Sequence, residues 1–241
     1  MESTIYLGDT ARVPYGPKSA ETVCRYAREA SAFLVARGIK ALVIACNTAT
    51  AHARSSLAES LDIPVIGVVR PGAGEAVAVT RSGRIGVIGT RGTIESETYE
   101  RAIREVRPSA EVHSRACPLF VALAEEGWVS GEVAELTARR YLDGLLGEGI
   151  DTLVLGCTHY PLLRPLLENL VGLEVVLVDS AEATARETAH LLEAEGIEGR
   201  GPVRREYFVT DDAQRFGALA ARFLGGAIEH LERVSLGDAG T

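Results

Sequence analysis

The sequence has 241 residues, 46% of them hydrophobic, with 33 acidic against 25 basic side chains and a formal net charge of −8. That is apolar material for one large or two small domains, and the acidic balance argues against a broad nucleic-acid footprint. Four cysteines (Cys24, Cys46, Cys117, Cys157) lack zinc spacing and disulfide-scaffold density, and neither a bilayer-length apolar run nor a secretory N-terminus is evident, so a reduced, cytoplasmic chain is expected.

Strands and helices alternate along the chain, the pattern of an α/β protein with parallel sheets. Ser3–Gly8 reads as a strand, followed by the loop Asp9–Pro17 with its Pro14-Tyr15-Gly16 turn. A helix is expected from Ser19, a plausible N-cap, to Arg37, with Gly38 as its stop. Strand 41–45 ends at Cys46, and Asn47 and Thr48 read as N-cap residues of a helix to Leu61. Strand 63–69 follows, and Pro71-Gly72 closes the first half. A helix near 73–80 leads to RIGVIGTRGT (84–93), a strand breaking into a hydroxyl-bearing loop bracketed by Thr90 and Thr93, then one helix to Val106. Strand 110–114, Cys117-Pro118, a helix carrying Glu125 and Glu126, and helix 130–147 come next. The strand through Leu153-Val154-Leu155 ends at Cys157 before Thr158 and His159, and a helix near 161–170 and strand 174–178 follow. After Asp179-Ser180 the chain continues as a helix to Glu195, the polar linker GIEGRGPVR, strand 206–209 and helix 212–224; the tail LGDAGT is read as mobile.

One unit occurs twice. GIKALVIACNTAT (38–50) aligns without a gap on GIDTLVLGCTHYP (149–161), placing Cys46 on Cys157 at an offset of 111 residues. The match extends upstream, where Ser19, Glu21, Ala27 and Arg28 fall on Ser130, Glu132, Ala138 and Arg139, and downstream to Val65-Ile66 on Val176-Leu177. Two copies are too few for a solenoid and point to two similar halves facing each other.

In a parallel sheet, chemistry sits beyond the carboxyl ends of strands, where both cysteines lie. A lone buried cysteine is ordinarily a small hydrophobe; a mirrored pair can work as two acid/base groups on opposite faces of one carbon. Each precedes a helix, whose N-terminal field is expected to lower the thiol pKa. Inversion at that carbon is racemisation or epimerisation. Asn47, Thr48, Thr90, Thr93 and Thr158 offer donors for an anionic substrate, although any one of these threonines could serve only as a helix cap.

The stretches YLGDTARVPYG (6–16), ACNTATA (45–51), GVIGTRGT (86–93), ACPLFVALAEEG (116–127), LVLGCTHYPLL (153–163) and VDSAEATA (178–185) make the chain resemble the aspartate/glutamate racemase family, and His159-Tyr160-Pro161 favours its glutamate-specific branch over the aspartate one. The resemblance implies two pseudo-symmetric doubly wound parallel-sheet domains across a cleft, here 1–71 with 180–241 and 72–179. It implies a cofactor-independent, metal-free enzyme interconverting L- and D-glutamate for peptidoglycan, with no nucleic-acid or membrane partner and a homodimer left open. Cys46 and Cys157 would be the two thiols, the second working on the L-enantiomer, and His159 would assist Cys157. Tyr15, Gly16, Asn47, Thr48, Thr90, Thr93 and Thr158 would hold the substrate. Glu125 matches a carboxylate near the site in some members and also reads as a solvated helix residue; Cys24 and Cys117 read as structural. A racemase for another amino acid such as aspartate, or a binding-only homologue, are the alternatives.

The family opens with a strand and a DSGVGGLTV-type loop that this sequence does not show. The repeat agrees: RIGVIGTRGTIES (84–96) has no counterpart, since 111 residues earlier falls before Met1. One strand–loop–helix element of the first half is therefore expected to be absent, leaving apolar faces and backbone groups of its neighbours uncovered and placing proton transfer at Cys46 most at risk. Arg70, where the family often has Glu, reads as peripheral.

Overall fold

The structure is a computed structural model that describes residues 2–228 and 230–237. In chain order it runs β1 (Thr4–Gly8), α1 (Ala20–Val35), β2 (Leu42–Ile44), α2 (Asn47–Ser60), β3 (Val65–Gly67) and α3 (Val69–Val79). There follow β4 (Arg84–Gly89), α4 (Arg91–Glu95), α5 (Thr98–Val106), β5 (Glu111–Ala116), α6 (Leu119–Glu126) and α7 (Glu132–Leu146). Then come β6 (Thr152–Gly156), a 3₁₀ turn (Tyr160–Leu163), α8 (Arg164–Val171), β7 (Val176–Val178), α9 (Ala181–Ala194), β8 (Arg205–Val209), α10 (Ala213–Leu224) and β9 (Leu231–Arg233).

All strand pairs are parallel, as expected of an α/β chain. The second half forms one four-stranded sheet in the order β5-β4-β6-β7. Its central strands are covered on both sides. Leu153 and Leu155 pack into one core cluster with α7 and the Tyr160–Leu163 turn, while Val154 packs into another with α3 and α5. This is why their sequence is apolar without alternation.

The repeat is visible in the backbone. Helices α1 and α7 both end before a glycine in the left-handed conformation, Gly38 and Gly149, each with φ +71°, where a Cβ would be strained. Each helix leads into a strand followed by a cysteine, β2 by Cys46 after Ala45 and β6 directly by Cys157. The first half, however, does not close into one sheet. Its strands fall into β1-β8-β9 and β2-β3, and the described residues supply no strand that pairs with both β1 and β2. Leu42 and Ile44 are buried against α1 and α2, whereas Val43 is 41% exposed; its repeat partner Val154 is fully buried.

Several local expectations change. The helix expected across 93–106 is two, α4 and α5, because Glu97 adopts a left-handed φ of 53° between them. Pro71-Gly72 does not break the chain but lies in the first two turns of α3; Pro71 loses nothing there, since N–H groups of a first turn have no intrahelical acceptor. The N-cap of α2 is Cys46 itself, and Asn47 is the first helical residue. β9 was not expected, and residues 238–241 of the tail read as mobile lie outside the described residues. Among the described residues no helix is long and apolar enough to cross a membrane.

Candidate active site

Cys46 follows β2 and caps α2, its Sγ accepting the Ala49 N–H at 3.5 Å. A thiol at this position lets the chain leave the strand and start the helix without an intervening loop. Asn47 and Thr48, the next two residues, are buried. Cys157 follows β6 at 7% exposure, with the backbone N–H groups of His159 and Tyr160 directed at it.

The two halves meet at three hydroxyls. Thr48 Oγ1 lies 2.8 Å from Thr90 Oγ1 and 3.1 Å from Thr93 Oγ1, and Thr90 and Thr93 are 3.1 Å apart. Thr90 also caps α4, so the loop after β4 and the start of α2 are held by the same atoms. The Gly92 N–H donates to the Gly16 carbonyl at 3.0 Å, which ties the turn after β1 to the same loop. A Cβ on Gly16 would lie 2.6 Å from Thr90 Cβ, so only glycine permits this approach. Gly16, Asn47, Thr48, Thr90 and Thr93 are therefore brought together. Burial raises the pKa of the Tyr15 phenol, as does the Asp9 carboxylate to which it donates, and Cys46 lies within electrostatic range of it. Thr158 is brought to the end of β6 beside Cys157, but its side chain is exposed.

Beyond Cys157 a polar chain runs outward. His159 Nδ1 is 3.8 Å from Cys157 Sγ, and His159 Nε2 is 3.3 Å from Glu125 Oε1. The bond to His159 holds the Glu125 carboxyl below its ordinary pKa, against partial burial, with Arg215 assisting. Glu125 is thus not a freely solvated helix residue, which corrects one of its two sequence readings.

The expectation of helix-lowered thiol pKa values is also corrected. Burial raises both thiols, Cys46 despite the N–H groups of Ala49 and Thr48, and Cys157 up to about 12 despite those of His159 and Tyr160. Removal from water disfavours the thiolate more than the helix starts favour it. A charge on Cys46, or on Glu125, raises Cys157 further. Cys117 is fully buried in the core, and Cys24 donates to the His52 carbonyl. Among the described residues no three His, Cys, Asp or Glu side chains converge as metal ligands would.

Sequence reasoning missed Tyr99, whose phenol donates to Asn47 Oδ1 at 2.8 Å. It also missed Asp9, which accepts from Tyr15, Arg12 and Thr210. The Asp9–Arg12 spacing of three residues was the available signal for the second.

The family model described as Asp/Glu/hydantoin racemase matches residues 2–188. A glutamate racemase of Geobacter metallireducens is 57% identical over 98% of this chain and 88% of its own length. The crystal structure of the glutamate racemase isoform RacE1 of Bacillus anthracis superposes with a TM-score of 0.93 at 42% identity, covering 98% of this chain and 88% of that one. The glutamate racemase of Francisella tularensis, solved in complex with D-glutamate, superposes at 0.90 with 36% identity over the same shares.

Proposed function

This chain belongs to the Asp/Glu/hydantoin racemase family, and from that premise we propose that it interconverts L- and D-glutamate by proton transfer between Cys46 and Cys157. The observation that supports this reading most is the pair of thiols that follow β2 and β6, one in each half and close enough that a charge on Cys46 acts on Cys157, with Thr48 of the hydroxyl cluster bonded at Cys46. Relatives named glutamate racemase direct the choice of substrate.

In the proposed cycle one cysteine is a thiolate and the other a thiol. The thiolate takes the α-proton, the C–H electron pair passes into a carbanion conjugated with the carboxylate, and the opposite thiol returns a proton to the other face. The cysteines exchange protonation states and the α-carbon inverts. Because a charge on Cys46 raises Cys157, the pair favours one charge at a time, which is the state this cycle needs. Thr48, Thr90, Thr93 and Asn47 would hold the carboxylate and amino groups, with Tyr15, Gly16 and Thr158 closing the site. His159, with Nε2–H donated to Glu125, presents Nδ1 to Cys157 as an acceptor for the thiol proton. No cofactor enters these steps. The substrate cleft would lie between a unit of residues 1–71 and 180–241 and a unit of residues 72–179, and the product would feed peptidoglycan synthesis.

The test is proton NMR of the chain with L-glutamate and, separately, D-glutamate in deuterated water. Exchange at Cα with inversion from both enantiomers is expected, and Cys46→Ser or Cys157→Ser should each abolish inversion. A cysteine variant that racemises fully would overturn the two-thiol mechanism. The open side of β2 favours one second reading, a protein that binds glutamate but cannot invert it. A raised unfolding midpoint with glutamate and no exchange would support that reading instead.

A further inference from the structure

Tyr99 lies outside the residues assigned above, yet it spans the boundary between the halves. It is 1% exposed and belongs to the second-half core with Val69, Ala73, Ile85 and Val154. Its hydroxyl emerges from that core to donate to Asn47 Oδ1 on α2, at 2.8 Å. The ring reaches Asn47 through a passage that two glycines leave open. A Cβ on Gly72 would stand 3.1 Å from the phenol oxygen, and one on Gly156 would stand 3.1 Å from Cε2. Gly156 directly precedes Cys157, and Asn47 directly follows Cys46. One side chain therefore touches the backbone beside one thiol and the side chain beside the other.

The chemistry of the bond fixes what Asn47 can do. An amide has one accepting oxygen and one donating nitrogen. With Oδ1 occupied by the phenol, the two N–H bonds must point elsewhere. Among the described residues Asn47 Nδ2 has no hydrogen-bond partner, and it is not fully closed off from solvent although the residue as a whole is 3% exposed.

We infer that Tyr99 is a positioning residue that holds the Asn47 carboxamide with its amino group turned into the cleft, where it donates to the substrate carboxylate. The inference rests on the racemase reading for its substrate but not for its geometry. Without the phenol oxygen, no acceptor bond selects the amide orientation and Oδ1 is free to face an anion, which weakens binding in ground and transition states alike.

Tyr99→Phe keeps the ring and removes the hydroxyl, which gives up the bond to Asn47 and the interaction with Ser180. We expect kcat/KM for both glutamate enantiomers to fall about tenfold, the size of one net hydrogen bond. In the Asn47→Ala background the same change should cost far less, because there is no amide left to orient and only the Ser180 interaction is given up. Equal losses in the two backgrounds would overturn the inference, since a general packing defect would be felt in both. A second readout does not need turnover. The Asn47 side-chain amide pair in a ¹H–¹⁵N spectrum, assigned by its loss in Asn47→Ala, should be sharp in the wild type and broadened or doubled in Tyr99→Phe. An unchanged pair would also overturn it. Absence of racemisation by the wild type would instead count against the functional reading, and the amide spectrum would still decide the role of Tyr99.

Discussion

At the scale of single residues, Cys157 shows how position sets chemistry. It ends a strand buried on both faces, and burial moves its pKa from the ordinary 9.0 to about 12. The folded chain therefore keeps this proton while the unfolded chain releases it near the ordinary value. Between those two pKa values the unfolded state binds fewer protons, so stability falls as pH rises, by up to about 1.4 kcal/mol per pH unit for one such thiol. Below the unfolded value the contribution is flat. Urea unfolding at successive pH values from 7 to 10 should show this decline, and Cys157→Ser should make it shallower. An identical slope in the variant would mean that Cys157 is not held protonated by the fold. The cysteines themselves were legible in the sequence, because the repeat aligns them without a gap. Tyr99 was not, because its pattern with Ala102 and Ile103 is that of any amphipathic helix facing a core. A phenol hydroxyl that leaves the core leaves no trace in periodicity.

At the scale of elements, the site is assembled from strand ends and the turns that follow them. Most of those elements were legible from cues of local chemistry. Ser19 does cap α1 by accepting from Thr22, and Gly38 does follow its last turn. The misses have local causes too. Glu97 has no residue-type signature for a left-handed turn, so α4 and α5 read as one helix. Pro71 reads as a breaker, yet a first helical turn accepts it. The turn at Gly16 is the element whose sequence is most constrained by the site. Its carbonyl receives the Gly92 N–H, and its Cα lies against Thr90. Gly16→Ala places a methyl group 2.6 Å from Thr90 Cβ, so either the turn or the hydroxyl cluster must shift. We expect a stability loss of about 1–3 kcal/mol together with a KM for glutamate raised by about tenfold. Gly74→Ala, on α3 where the added methyl meets nothing within 4 Å, should do neither. Steady-state kinetics and thermal unfolding of the two variants check this; a Gly16→Ala enzyme with unchanged KM would separate the turn from the substrate site.

At the scale of the whole molecule, the repeat places nearly the same sequence in two different surroundings. In the second half β6 lies between β4 and β7, so its backbone is paired on both sides and its side chains are covered on both faces. In the first half β2 is paired, among the described residues, with β3 alone, and Val43 faces outward at 41% exposure. Local propensity cannot produce this difference, since Leu-Val-Ile and Leu-Val-Leu are equivalent strand formers; only the neighbours differ. Amide exchange measures the neighbours directly, because protection grows with the number of bonds and contacts that must open together. Peptides covering 42–44 should therefore exchange at least about tenfold faster than those covering 153–155, despite matching sequence and position in the repeat. Saturating glutamate should narrow the gap if the proposed site is right, because a ligand held by Asn47 and Thr48 on one side and by Thr90 and Thr93 on the other would couple the opening of α2 to that of the second-half core. Equal protection without ligand would mean that the free edge of β2 is covered in solution. Repeating the exchange at tenfold lower protein concentration would then identify the cover: protection lost on dilution belongs to a second copy of the chain, and protection that persists belongs to the chain itself.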